Sequence, residues 1–196
     1  RIMLHVAHAY QSGYQSWMIH ATDTDIVVLA ISTANEIPGL ELWLAFGHGN
    51  NLRYISAHGI ASQLGNVLSK ALSFMHALTG CDTVSSFCDI GKKTAWAVMR
   101  SLPHIWEVFE RLSSTPAEVS EDDMMELERF VVLMYKKTSP LSRVNEARKQ
   151  LFSSGNRQIN HIPPTKAALL EHSKRAAHQA GHIWEQALVV RPVLPN

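Results

Sequence analysis

The stretch Ser16-Trp17-Met18-Ile19-His20-Ala21 is short, aromatic and apolar. A run of that length does not fill a stable helix and fits a strand buried in a sheet. It stops at Thr22-Asp23-Thr24-Asp25, and a second apolar run, residues 26–31, comes directly after. By length alone that second run fits either a helix or a strand. A buried strand that feeds straight into carboxylates limits what the chain can build, because ligand sites in α/β sheets gather at the carboxyl ends of strands.

The surrounding pattern places this strand in an α/β region that passes into an all-α half. Residues 2–10 carry apolar side chains at helical spacing and stop near Gly13. Pro38-Gly39 marks a turn. Residues 40–46 and 52–55 read as two strands around Gly47-His48-Gly49-Asn50-Asn51, a hairpin. Residues 56–64 and 69–78 read as helices, residues 80–91 as a loop, and Lys92–Ser101 as a further helix. Pro103 and Pro116 punctuate the chain beyond it. Glu121–Tyr135 reads as a strong helix, with acids in its first turn and Lys136-Lys137 after its end, an order that suits the helix dipole. Pro163-Pro164-Thr165 opens a last long helix to about residue 188, and residues 190–196 read as an irregular tail. No internal repeat or low-complexity tract occurs. Hydrophobic residues make up 46% and charged residues 18%, which excludes the disordered class.

Composition also narrows the partners. A net charge of +1 gives no global basic field, so any nucleic-acid contact must come from a local patch or from backbone amides. No run of about 18 apolar residues is present, so no membrane span is expected. Cys81 and Cys88 are too few for a disulfide framework and match no common zinc spacing, which points to a reducing, intracellular setting. The chain opens at Arg1 in what reads as the middle of a helix, and a fragment lacking an N-terminal portion is expected.

Two segments carry chemistry. Asp23 and Asp25 repel each other unless a divalent cation neutralises them, and Mg²⁺ or Mn²⁺ takes oxygen ligands of this kind. Two such ions can clamp the attacking water and the leaving oxygen of a phosphodiester. The plainer reading is a solvated turn in which an aspartate caps the next helix. A haloacid-dehalogenase-type phosphatase also uses Asp-x-Asp, but it wants Thr two residues after the second Asp, where this chain has Val27. In the second segment, His76-Ala77-Leu78-Thr79-Gly80-Cys81-Asp82 closes a helix and Asp89-Ile90-Gly91-Lys92-Lys93-Thr94-Ala95-Trp96 opens another. Free amides at that helix start favour a phosphate, and Lys92 and Lys93 add counter-charge for a DNA backbone. The plainer reading is a helix–loop–helix in which glycine serves the turn and Asp82 is a local cap.

Taken in order, these segments resemble the structure-specific 5′ nuclease family, flap endonuclease and its relatives, on a PIN-like fold. The resemblance covers residues 2–101, and residues 76–96 look similar to a divergent animal group of nuclease-like proteins. It implies a PIN-like sheet portion with a hairpin and a helix–two-turn–helix motif over residues 1–102, then a helical extension over 103–196. It implies Asp23, Asp25 and Asp82 as metal ligands in Mg²⁺- or Mn²⁺-dependent hydrolysis of phosphodiesters in duplex or branched DNA, in an intracellular, nuclear setting. Gly91, Lys92 and Lys93 would lie at the duplex-binding turn, where the family also holds a potassium ion through backbone oxygens. Asp89 and Lys92 stand where the family has Gly and Pro. The family draws further acids from earlier strands, so three carboxylates are few for two metals. The alternative is a catalytically inactive nucleic-acid-binding or scaffold protein on a decayed nuclease fold; an RNA-directed PIN-like nuclease is a third reading.

The remaining polar residues read as packing or surface. His5 and His8 have chelating spacing but no third ligand, and His172, His178 and His182 do not share a face. Cys81 lacks a partnered base. Lys174-Arg175 reads as a solvated face. Leu127, Phe130, Val131 and Met134 form a core stripe, and Trp96, Trp106 and Trp184 are expected packing anchors.

Overall fold

The computed structural model describes residues 1–114, 118–155 and 158–189. Pro116 and the tail 190–196, read above as punctuation and irregular chain, lie outside the described residues. The described chain is α/β: a helix α1 (Ile2–Gln11) leads into a small mixed sheet, and helices make up the rest. Strand β1 (Ser16–Ala21) pairs in parallel with β2 (Glu41–Phe46), from Ser16 opposite Glu41 to Ala21 opposite Phe46. The ambiguous run after β1 is helical. It forms α2 (Thr24–Glu36), the crossover that a parallel pair requires. Helix α2 ends at Ile37, which is extended (φ −112°, ψ 95°) because Pro38 follows. Strand β2 then turns through a short 3₁₀ segment (Gly49–Asn51) into β3 (Arg53–Ser56), paired antiparallel. The sheet order is β1-β2-β3.

Residues 56–64 and 69–78, expected as two helices, lie in one element, α3 (Ala57–Leu78). The expected break is present inside it as a kink at Gly65 (φ 73°, ψ 176°), a left-handed backbone that glycine adopts without Cβ strain. Ser56 caps its start by accepting from the Gly59 amide. After the loop come α4 (Lys92–Ser101), α5 (His104–Ser114), α6 (Glu121–Tyr135), α7 (Val144–Ser153) and α8 (Lys166–Ala177). The last long helix expected to residue 188 is α8 continued by a π-helical turn (His178–Trp184) and a 3₁₀ turn (Glu185–Leu188). Among the described residues no helix is long and apolar enough to cross a membrane.

Two apolar clusters meet along α3. Met3, Val6, Ile19, Ile31, Leu42 and Leu44 pack with Ala57 and Ala61, from the front of α3. Phe74, Met75 and Leu78, from its rear, pack with Phe109, Phe130, Met99 and Leu169. Phe109 sits between Phe74 and Phe130, with ring centroids 5.0 Å away on each side. Leu127, Phe130, Val131 and Met134 are all buried, as their spacing predicts. Trp184 is buried, while Trp96 and Trp106 pack against the same cluster from partly buried positions.

Candidate metal and phosphate site

Asp23 and Asp25 stand just beyond the carboxyl end of β1. Asp23 is the N-cap of α2: its Oδ1 accepts from the Asp25 amide at 2.8 Å. The capping reading of this aspartate therefore holds, and it leaves the second carboxylate oxygen free of that bond. Asp25 occupies the first helical turn, where the dipole favours an anion. Asp82 comes from a different place, the loop that follows α3. Carboxylate oxygens of Asp23, Asp25 and Asp82 nevertheless lie within 4.8 Å of one another. Asp23 and Asp82 are exposed and Asp25 is half-buried, so the group opens to solvent.

The loop is folded to put Asp82 there. Gly80 takes φ +108°, and a Cβ at that position would lie 2.7 Å from Ser86 Cβ and 2.9 Å from its Cα. Glycine is required both by the dihedral and by the close approach. Cys81 and Val84 exchange backbone hydrogen bonds of 2.9 and 3.3 Å, which close a tight turn around Asp82 and Thr83. Thr83 Oγ1 donates to Gln179 Oε1 of the π turn at 2.8 Å, fixing the loop from outside. Among the described residues, Asp82 itself makes no side-chain hydrogen bond or ion pair with the protein.

Two further residues complete the corner: His76, not expected from sequence, and Lys92, expected as a DNA contact and found in a different role. His76 is 3% exposed, and its Nε2 lies 2.8 Å from Asp25 Oδ1. Burial, joined by the Lys92 charge, pushes the imidazole below its usual range, against the pull of Asp25. A neutral ring in that position donates Nε2–H to the carboxylate and orients it. Trp184 packs on the other side of the ring, with centroids 5.7 Å apart. No periodicity or motif flags this histidine; only the folded contact does.

Lys92 is the second. Its ammonium donates to the His76 carbonyl at 2.9 Å, to Thr79 Oγ1 at 3.3 Å, and to the Gly80 carbonyl. It thus satisfies carbonyls at the end of α3 that have no helical partner. Burial lowers the ammonium's pKa, while Cys81 and Asp25 nearby oppose the shift. Lys92 is a half-buried structural cation. Lys93 is exposed, and Gly91 is the exposed N-cap of α4, with nothing within 4 Å of where a Cβ would stand. The start of α4 therefore presents open backbone amides and one exposed lysine. Lys92 holds the His76 carbonyl and the His76 ring holds Asp25, so the acidic corner and the start of α4 are tied together through the end of α3. Asp89 stands at φ 57°, the one positive-φ non-glycine among the described residues.

The other polar candidates behave as surface or packing. His5 and His8 are not buried among the core residues. His172 turns inward, its Nε2 2.7 Å from the Leu78 carbonyl. His178 and His182 stack together, with centroids 4.9 Å apart. Cys81 and Cys88 are free thiols. Lys174 pairs with Glu171 on the surface of α8 at 2.8 Å. Comparison with protein-family models, with curated proteins and with solved structures finds no match.

Proposed function

We propose that this chain is the metal-binding and duplex-gripping part of a nuclease that hydrolyses phosphodiester bonds in structured DNA, similar to the flap endonuclease family with its PIN-like fold. The observation that carries the reading is the convergence of Asp23, Asp25 and Asp82 within 4.8 Å of one another from two separate segments. The donor set is all hard oxygen and open to solvent, which fits Mg²⁺ or Mn²⁺ with several waters retained. When bound, such an ion neutralises phosphate charge and activates water. The protein's own contributions are geometric. Asp23 is fixed by its cap, Asp25 by His76, and Asp82 by the Gly80 turn. Gly91 and the exposed Lys93 would receive a backbone phosphate beside this corner, a contact that positions a duplex without reading its sequence.

Two positions depart from the family's pattern. Asp89 departs from the family's glycine, yet it holds the left-handed backbone that glycine would serve there. Lys92 departs from the family's proline, and its ammonium takes the carbonyls of His76 and Gly80. A potassium ion at the turn belongs to the proposal only through oxygens other than those two.

The test is cleavage of a branched DNA carrying a 5′ flap, with linear duplex and RNA of matched sequence alongside, in Mg²⁺ and in Mn²⁺. Metal-dependent cutting that Asp82→Asn abolishes supports the reading; equal cutting by that variant sinks it. Lys93→Ala should weaken duplex binding and reduce the salt slope by about one. A second reading, a non-catalytic DNA-binding scaffold, is favoured by one observation: Lys92 is absorbed into the α3 end, leaving Lys93 as the exposed member of the pair. Duplex binding in chelator, with no cleavage under any metal, would select it.

A further inference from the structure

Away from the acidic corner, the loop entering α4 carries a second group of ligand-type side chains. Cys88, Asp89 and His161 bring a sulfur, a carboxylate oxygen and a ring nitrogen within 4.8 Å of one another. Cys88 and Asp89 are adjacent in the loop, whereas His161 ends a 3₁₀ turn (Ile159–His161) between α7 and α8. The donor set is chemically unlike the first. Thiolate and imidazole with one carboxylate suit a borderline-soft ion such as Zn²⁺, not Mg²⁺.

We propose that Cys88, Asp89 and His161 form a zinc-class metal site that clips the segment before α8 to the turn before α4. Cys88 Sγ lies 4.0 Å from His161 Nδ1. A tetrahedral zinc, with Zn–S about 2.3 Å and Zn–N about 2.0 Å, would set those atoms roughly 3.5 Å apart. The adjustment needed for this pair is therefore about half an ångström. Asp89 Oδ2 contacts the same ring nitrogen, Nδ1. One imidazole nitrogen thus faces both the sulfur and the carboxylate, and the exposed carboxylate draws back from direct contact to roughly 3.3 Å when an ion enters between them. The Asp89 side chain is 70% exposed and that of His161 38%, so an ion enters from solvent and a water can take the fourth position. Asp89 keeps its uncommon left-handed backbone (φ 57°) at this point. The cysteine count alone could not reveal the site, because the third ligand arrives from a segment distant in sequence.

The proposal is independent of the nuclease reading, and its test uses different ligands. The reduced, chelator-stripped protein is titrated with Co²⁺ and then with Zn²⁺. The expected result is a thiolate-to-cobalt charge-transfer band that saturates at one ion per chain and is erased by Zn²⁺. Cys88→Ser should remove the band, and His161→Asn should weaken binding at least about tenfold. Cys81→Ser and Asp82→Asn should leave it unchanged. Should Cys88→Ser fail to fold, Zn²⁺ protection of Cys88 against alkylation, read by mass spectrometry on the unaltered chain, makes the same test. A band that survives Cys88→Ser, cobalt bound without a thiolate band, or alkylation of Cys88 at an unchanged rate in Zn²⁺ would overturn the site. Those outcomes leave Asp89 and His161 as a plain ion pair.

Discussion

At the scale of single residues, the acidic corner separates into groups the fold needs and groups it does not. The Asp82 side chain touches no protein donor, and three carboxylates held close repel one another without a cation. Asp82→Asn is therefore expected to leave metal-free stability within about 0.5 kcal/mol of the parent, or to raise it slightly. The proposed site predicts an upward shift in melting temperature from Mn²⁺ binding to the folded state alone, and the same substitution should remove it. Thermal unfolding with and without Mn²⁺ checks both halves, and an unchanged metal shift would remove Asp82 from the ligand set. Gly80 behaves oppositely. With φ +108° and Ser86 Cβ 2.7 Å from where an alanine methyl would stand, Gly80→Ala should cost about 2 kcal/mol or more, read by denaturant midpoint. The Asp23–Asp25 pair is legible in the sequence because carboxylates after an apolar run leave a mark on the string, whereas Asp82, on the string alone a local cap, joins them only through the family resemblance. His76 and the anchoring role of Lys92 are not legible. A histidine inside a helical pattern and a lysine at a helix start have ordinary local explanations, and their partners come from other segments.

At the scale of elements, legibility tracks how locally each one is stabilised. Helix α6 carries its own start signal, a Ser120–Asp123 capping box, and its bounds are readable. Helix α7 leaves no such mark, and the reason is physical. Its N-cap, Arg143, makes no side-chain cap, and the Val144 amide is satisfied by Glu128 Oε1 of α6 at 3.1 Å. That donor–acceptor pair exists only in the fold. Helix α5 is hidden although Ile105, Phe109 and Leu112 form a buried stripe, because two prolines frame the segment as broken chain. Helix α8 and its π turn also do more than extend the chain. The His172 ring reaches the last carbonyl of α3, and Gln179 and Trp184 press on the Asp82 loop and on His76. Trp184→Ala should lose about 3 kcal/mol. It should also raise amide exchange in the residues after Leu78, measurable by mass spectrometry; exchange confined to the C-terminal turn would contradict the buttress. Burial holds the His172 imidazole below its usual range. In the unfolded chain it titrates near about 6.5. The unfolded state thus takes up the proton first as pH falls, so this contribution is complete above that value and is lost on acidification below it. Denaturant titrations between about pH 7.5 and about pH 5 should show a shallower loss in His172→Gln than in the parent.

At the scale of the whole molecule, α3 is shared by both apolar clusters, so neither can lose its packing without disturbing the other. Unfolding is expected to be one transition. Variants retaining only Trp17 and Trp43 report on the sheet side, and variants retaining only Trp96, Trp106 and Trp184 report on the helical side. Coincident midpoints are the expected result, and separated midpoints would show two independently stable halves. The α/β-then-α order is readable because strands and helices leave different periodicities. Their joint is not, since a helix that serves two cores looks in sequence like any other apolar helix. The capping bond made by Asp23 has a consequence over descent. On the proposed function, a lineage that abandoned cutting would still be held to a cap-forming side chain at 23, for which asparagine suffices, while 82 would be released to drift. Under that proposal, what sets a working descendant apart from an ornamental one is an acid at 82, the position on which architecture makes no claim.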